Sequence, residues 1–143
     1  MKHILIVEDL LEVRVWLERI VRDIYPDANV MLAEGVRTGR RLAASDVDLA
    51  LIDLGLPDGS GLDVLRTLTH ENPAAIKVVT TVMGDDASIV AALSAGADGY
   101  LLKESERAVL VRHLEQLAHG IPAISPSIAR RIMEHFRRTG PAL

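Results

Sequence analysis

The chain of 143 residues contains no cysteine, so it has neither a disulfide framework nor a thiolate metal site. Aromatic residues are nearly absent. Trp16, Tyr25, Tyr100 and Phe136 are the whole set, and a core has to be built from Val, Leu, Ile and Ala. No apolar run approaches the ~20 residues of a membrane span. The run after Met1-Lys2-His3 is too short for a secretory signal, and the absences together fit a cytoplasmic protein with no membrane contact. The five histidines have no ligand spacing, which sets zinc aside. There is no Gly-x-Ser-x-Gly elbow and no phosphate loop ending in Gly-Lys-Ser/Thr. Gly59-Ser-Gly61 lacks the third glycine of a dinucleotide fingerprint and reads as a turn.

What is present is nearly half apolar, of a length that suits one domain. The net charge of −4 argues against a nucleic-acid surface over the bulk of it, although the tail carries Arg130, Arg131, Arg137 and Arg138 against Glu134. Apolar runs at His3–Val7, Val30–Ala33, Leu49–Ile52, Ile76–Thr81 and Gly99–Leu102 predict five strands. Between and after them, periodic segments predict helices. The first follows Asp9, with Asp9 and Glu12 spaced as a capping box and Leu10, Val13, Leu17, Ile20 and Ile24 as the buried face. The others span Gly35–Ala44, Leu62–Glu71, Ala87–Ala95 after a Gly84-Asp85-Asp86 turn, and Ser105–His119. Ser125-Pro126 opens a sixth helix, with Ile128, Ile132 and Phe136 as its stripe, its arginines on a solvated face and Gly140-Pro141 as its break. Strands alternating with helices without long loops predict an α/β fold, a five-stranded parallel sheet covered on both faces.

In such sheets chemistry gathers beyond the carboxyl ends of the strands. The ends here carry Glu8 and Asp9, Asp53, Thr81, and Lys103. Three carboxylates brought together repel one another, and a hard cation relieves them. Oxygen-only ligands suit Mg²⁺. A lysine and a hydroxyl beside them suit an anion. The set describes phosphoryl transfer onto a carboxylate.

These residues carry a resemblance. Ile4-Leu-Ile-Val-Glu-Asp9, Asp53-Leu-Gly-Leu-Pro-Asp-Gly-Ser-Gly61, Thr81 and Gly96-Ala-Asp-Gly-Tyr-Leu-Leu-Lys103 make the chain similar, over residues 2 to 119, to the receiver domain of two-component response regulators. The resemblance implies a doubly wound, flavodoxin-like sheet of order 2-1-3-4-5. It implies that Asp53 is the phosphoacceptor for a sensor histidine kinase or phosphotransfer protein. Asp9 would bind Mg²⁺ directly, Glu8 through water and Gly55 through its backbone carbonyl. Lys103 and Thr81 would hold phosphoryl oxygens, and Tyr100 would turn inward as Thr81 moves. Leu11 and Val15, opposite the buried stripe of the first helix, are candidates for the partner surface. A homodimer formed on phosphorylation is a further expectation. No turnover enzyme is implied, only a receiver that gains and loses its own phosphoryl group.

Two positions depart from the family pattern: Glu104 stands where proline often follows the lysine, and Val82 where a smaller residue often follows the threonine. A valine there is expected to narrow access to the phosphoryl group. Residues 120 to 131 resemble the linker to a LuxR-type helix-turn-helix in the NarL/FixJ group. The expected division is therefore a receiver over 1–120, and over 121–143 a linker helix with the start of a missing DNA-binding domain that regulates transcription. The alternatives are a stand-alone receiver, a phosphorylation-independent interaction module, and an aspartyl-nucleophile phosphatase. The last wants a second Asp two residues after the nucleophile, where Gly55 stands.

Overall fold

The structure is a computed structural model that describes residues 1–82, 85–103 and 105–139. The expected turn glycine Gly84, the Glu104 junction and the Gly140-Pro141 break lie outside the described residues. The elements run β1 (His3–Val7), α1 (Leu11–Ile24), β2 (Asn29–Ala33), α2 (Val36–Ala43), β3 (Leu49–Ile52), a two-residue hairpin β4 (Gly55–Leu56) and β5 (Gly59–Ser60), and α3 (Gly61–Glu71). They continue with β6 (Ile76–Thr81), α4 (Asp86–Ser94), β7 (Gly99–Leu102), α5 (Arg107–Ala118), β8 (Ala123–Ile124) and α6 (Pro126–Thr139).

The main sheet has the order β2-β1-β3-β6-β7-β8, and every pairing in it is parallel. Its first five strands follow the predicted order. The sixth, β8, was not predicted: at two residues it is too short to show a period, and its pairing with Gly99 and Tyr100 is what makes it a strand.

Alternation along the strands divides the core in two. Ile4, Ile6, Leu49, Leu51, Val78 and Leu101 face α1 and α5, where Leu17, Ile20, Val21, Leu110, Leu114 and Leu117 meet them. Leu5, Val7, Ala50, Ile52, Val79 and Tyr100 face the other way, toward Val64, Leu65 and Leu68 of α3, Ile89 and Ala92 of α4, and Ile128 of α6.

Three expectations about helices are corrected. The Asp9–Glu12 capping box does not form: Leu10 occupies the N-cap position of α1, with no side-chain cap, because the Asp9 carboxylate turns toward Glu8 and Asp53. Leu10 is not on the buried face either but is 57% exposed, and Arg14 and Val21 are buried instead. The arginines of α6 are not all solvated. Arg131 and Arg138 both pair with Asp86 of α4, and Phe136, the end of the predicted stripe, stays exposed.

Side chains from distant segments fasten the loops. Asn72 donates from Nδ2 to the carbonyls of Ala43 and Ser45, both at 2.8 Å, tying the end of α2 to the end of α3. Asp58, in the hairpin, accepts from the backbone N–H of Val36 at 2.7 Å and of Arg37 at 3.1 Å, and so caps α2 from outside. Removing a side chain that satisfies backbone carbonyls costs about 1–3 kcal/mol. Asn72→Ala is therefore expected to lower unfolding stability by about that amount, checked by urea denaturation with an unchanged slope.

Candidate functional site

Parallel register brings the strand ends to one level. Val7 pairs with Ile52, and Thr81 with Leu102. The chain stays tied one residue further: the Asp53 N–H donates to Val7 O at 2.9 Å, the Glu8 N–H to Ala33 O at 2.9 Å, and the Lys103 N–H to Thr81 O at 2.8 Å. Glu8, Asp53 and Lys103 are thus held by backbone as well as by their side chains.

The side chains converge there. Each of Glu8, Asp9 and Asp53 places a carboxylate oxygen within 4.8 Å of the other two. Lys103 Nζ donates to Glu8 Oε1 at 2.7 Å and Oε2 at 3.0 Å, and lies 3.1 Å from Asp53 Oδ2. Glu8 is 0% exposed and Asp53 6%, whereas Asp9 is half-buried. Burial and the neighbouring Asp53 push the Glu8 carboxyl up to about 7, although the hydrogen bond from Lys103 pulls it the other way. Burial pulls the Lys103 ammonium down, but its hydrogen bond to Glu8 and the charge of Asp53 outweigh that and hold it above its ordinary value. One ammonium for three carboxylates leaves an excess of negative charge in a confined place.

Thr81 is buried at the same edge. Tyr100 lies wholly buried one strand over, its hydroxyl without a hydrogen-bond partner among the described residues. Gly55 opens the hairpin two residues past Asp53 and is exposed. Val82 is exposed beyond Thr81. Leu11 is 64% exposed, as expected, but Val15 is only partly so, and the apolar surface at the start of α1 consists of Leu10 and Leu11.

The roles of two residues that matter here were not read from the sequence. Arg14 is buried, and its guanidinium donates to Glu8 O at 2.8 Å and to Asp9 O at 3.4 Å, with Glu34 Oε1 at 3.5 Å. It fastens the turn that presents both acids. Gly61 begins α3 against the backbone of Asp53, where an added Cβ would stand 2.0 Å from the Asp53 carbonyl oxygen. Neither residue type signals this alone; the signal is contact across the fold.

Residues 4–115 match the response regulator receiver domain family. The chain belongs to that family. It is 35% identical over 127 residues to the nitrate/nitrite response regulator protein NarL of Escherichia coli K12, covering 87% of this chain and 58% of that protein. It is 29% identical over 135 residues to the transcriptional regulatory protein YdfI of Bacillus subtilis, covering 94% and 63%. The chain thus spans about three fifths of the length of these curated relatives. A crystal structure of a LuxR-family two-component response regulator from Aurantimonas sp. SI85-9A1 superposes with a TM-score of 0.78 at 30% identity, covering 93% of this chain and 96% of that one. These relatives put this receiver in the NarL/FixJ group. No helix among its described residues is long and apolar enough to cross a membrane.

The raised Glu8 carboxyl sets a pH dependence. Glu8 titrates near 4.5 when exposed and near 7 in the fold. Between those values the folded chain holds a proton that the unfolded chain releases. The Glu8 contribution is therefore fully present below about 4.5 and is lost as pH rises through about 7. In Mg²⁺-free buffer, urea stability should fall across that window, and Glu8→Gln should flatten the fall. An identical pH profile in the variant would refute the assignment.

Proposed function

We propose that Asp53 accepts a phosphoryl group from a phosphohistidine of a sensor histidine kinase or phosphotransfer protein, and that this switches the receiver's α4–β7 side. The observation that carries the reading is Lys103 Nζ lying 2.7 Å from Glu8 and 3.1 Å from Asp53, inside a cluster of three carboxylates. A carboxylate meant only for structure would not be set beside two others with a single cation between them.

The donor set fits Mg²⁺: oxygens only, at one mouth of the sheet, two of the three acids buried. Glu8, Asp9, Asp53 and the carbonyl of Gly55 would hold it, and bound there it supplies positive charge against the oxygens of the transferred group. The rest belongs to the chain. An Asp53 carboxylate oxygen attacks phosphorus, a P–O bond forms, the P–N bond to the donor imidazole breaks, and the imidazole leaves and takes up a proton. The result is an acyl phosphate on Asp53. Lys103 pairs with one phosphoryl oxygen and Thr81 donates a hydroxyl to another. As Thr81 is drawn toward the group, the space beside Tyr100 changes, and α4 follows. Water attack on the acyl phosphate restores Asp53, so the receiver would reset itself without being a turnover enzyme. The exposed pair Leu10 and Leu11, at the same edge as Asp9, suits an apolar patch on the donor's helices.

The output we infer is a DNA-binding domain following α6, as the lengths of the relatives allow, and a phosphorylation-dependent homodimer is compatible with it. A phosphatase reading gains nothing from the site, because Gly55 offers no side chain as a general acid.

Treatment with acetyl phosphate and Mg²⁺ should add the mass of one phosphoryl group to the wild type and none to Asp53→Asn, with chelation of Mg²⁺ abolishing the gain. Equal labelling of Asp53→Asn, read by intact mass, would overturn the assignment.

A further inference from the structure

The face that would switch is already occupied by the last helix of the same chain. Ile128 of α6 is fully buried in one core with Ile89 and Ala92 of α4 and Tyr100 of β7, and Ile132 packs against that core. Asp86, in the first turn of α4, receives Arg131 Nε at 2.9 Å on one carboxylate oxygen and Arg138 at 2.6 Å on the other. The two arginines lie seven residues apart on α6, two turns on one side of the helix. The Tyr100 hydroxyl is enclosed within the same layer without a partner among the described residues. A buried polar group left so weakens the packing around it and favours any rearrangement that gives it a partner.

The apolar contact and the ion pairs do different work. Burial of Ile128 provides most of the adhesion. The ion pairs are partly exposed, so they add little adhesion and are weakened by salt, but they fix where α6 sits on α4. Asp86 is also five residues along the chain from Thr81, on the element that has to move when Thr81 moves. A shift of its first turn relative to α6 strains the pairs to both arginines.

We propose that α6 is a latch on the α4–β7 face, closed by the Asp86–Arg131–Arg138 clasp, and that closure of the latch and phosphorylation of Asp53 oppose each other. The proposal rests on the assignment of Asp53 as phosphoacceptor and adds how that site is regulated. Coupling is reciprocal: if phosphorylation opens the latch, then weakening the latch favours phosphorylation by the same factor. The helix that leads toward a following domain is thereby released, or held, by the charge on Asp53.

Hydrogen exchange of backbone amides, read by mass on the full chain, tests this beside intact-mass labelling. In wild type treated with acetyl phosphate and Mg²⁺, amides of α6 should exchange about five-fold faster, with α5 unchanged. Arg131→Ala should speed α6 exchange without any phosphodonor and raise the labelled fraction at equilibrium. Asp86→Ala, which also frees Arg138, should do so at least as strongly, and adding Arg131→Ala to it should bring no further gain, since Asp86 holds both pairs. Full labelling of the wild type with α6 exchange unchanged would overturn the latch. So would an Arg131→Ala chain whose α6 is loosened but whose labelling matches wild type. Absence of any mass gain in the wild type would instead remove the Asp53 assignment, and the coupling with it.

Discussion

Crowding of like charge at one edge of the sheet is the constraint on which the rest of the structure depends. Glu8, Asp9 and Asp53 place oxygens within 4.8 Å of one another, and a single ammonium, that of Lys103, stands among them. Left in water these acids would stay apart. Three features force them together. The parallel register levels the strand ends, backbone hydrogen bonds hold the first residue past each strand, and Arg14 grips the carbonyls of Glu8 and Asp9 from beneath. The cores on both faces of the sheet supply the free energy that opposes the repulsion. The site is thus under an electrostatic load that a cation or a proton relieves, and burial first, with the neighbouring Asp53 added to it, pushes the Glu8 carboxyl up to about 7.

Much of this could be read from the chain before any coordinates. Fully buried parallel strands announce themselves as unbroken apolar runs, so β1, β3, β6 and β7 were found at their observed bounds. Each run ends on a polar residue, and the parallel arrangement then puts Glu8, Asp53, Thr81 and Lys103 on one edge without further information. Gly96 and Gly120, each just past a helix predicted to end at Ala95 and at His119, take positive φ.

What could not be read depends on contact between distant segments. Asp9 has the spacing of a helix cap, yet its carboxylate joins the acidic cluster, because the alternative partners come from β3, some forty residues away in the sequence. Arg14 stands between Val13 and Val15 on α1, and only the fold shows that its guanidinium is buried against the turn after β1. Gly61 reads as a turn residue, while its actual role is to let α3 begin against the Asp53 carbonyl. The docking of α6 is the largest omission. Its stripe predicted a helix with one apolar side, but a stripe names no partner, and the answer, α4, required Asp86 and Arg131 to be seen 2.9 Å apart.

The central claim is that the carboxylates at this edge are held in an enforced cluster that one ammonium only partly neutralises, and it is tested most directly by the titration of Glu8 itself. Carboxyl-carbon NMR on the labelled protein, with Asp53→Asn as a second sample, follows that single group. The account predicts an inflection near 7 for Glu8 in Mg²⁺-free solution, displaced downward both by Mg²⁺ and by Asp53→Asn. An inflection at the ordinary value of 4.5, unmoved by either, would contradict it.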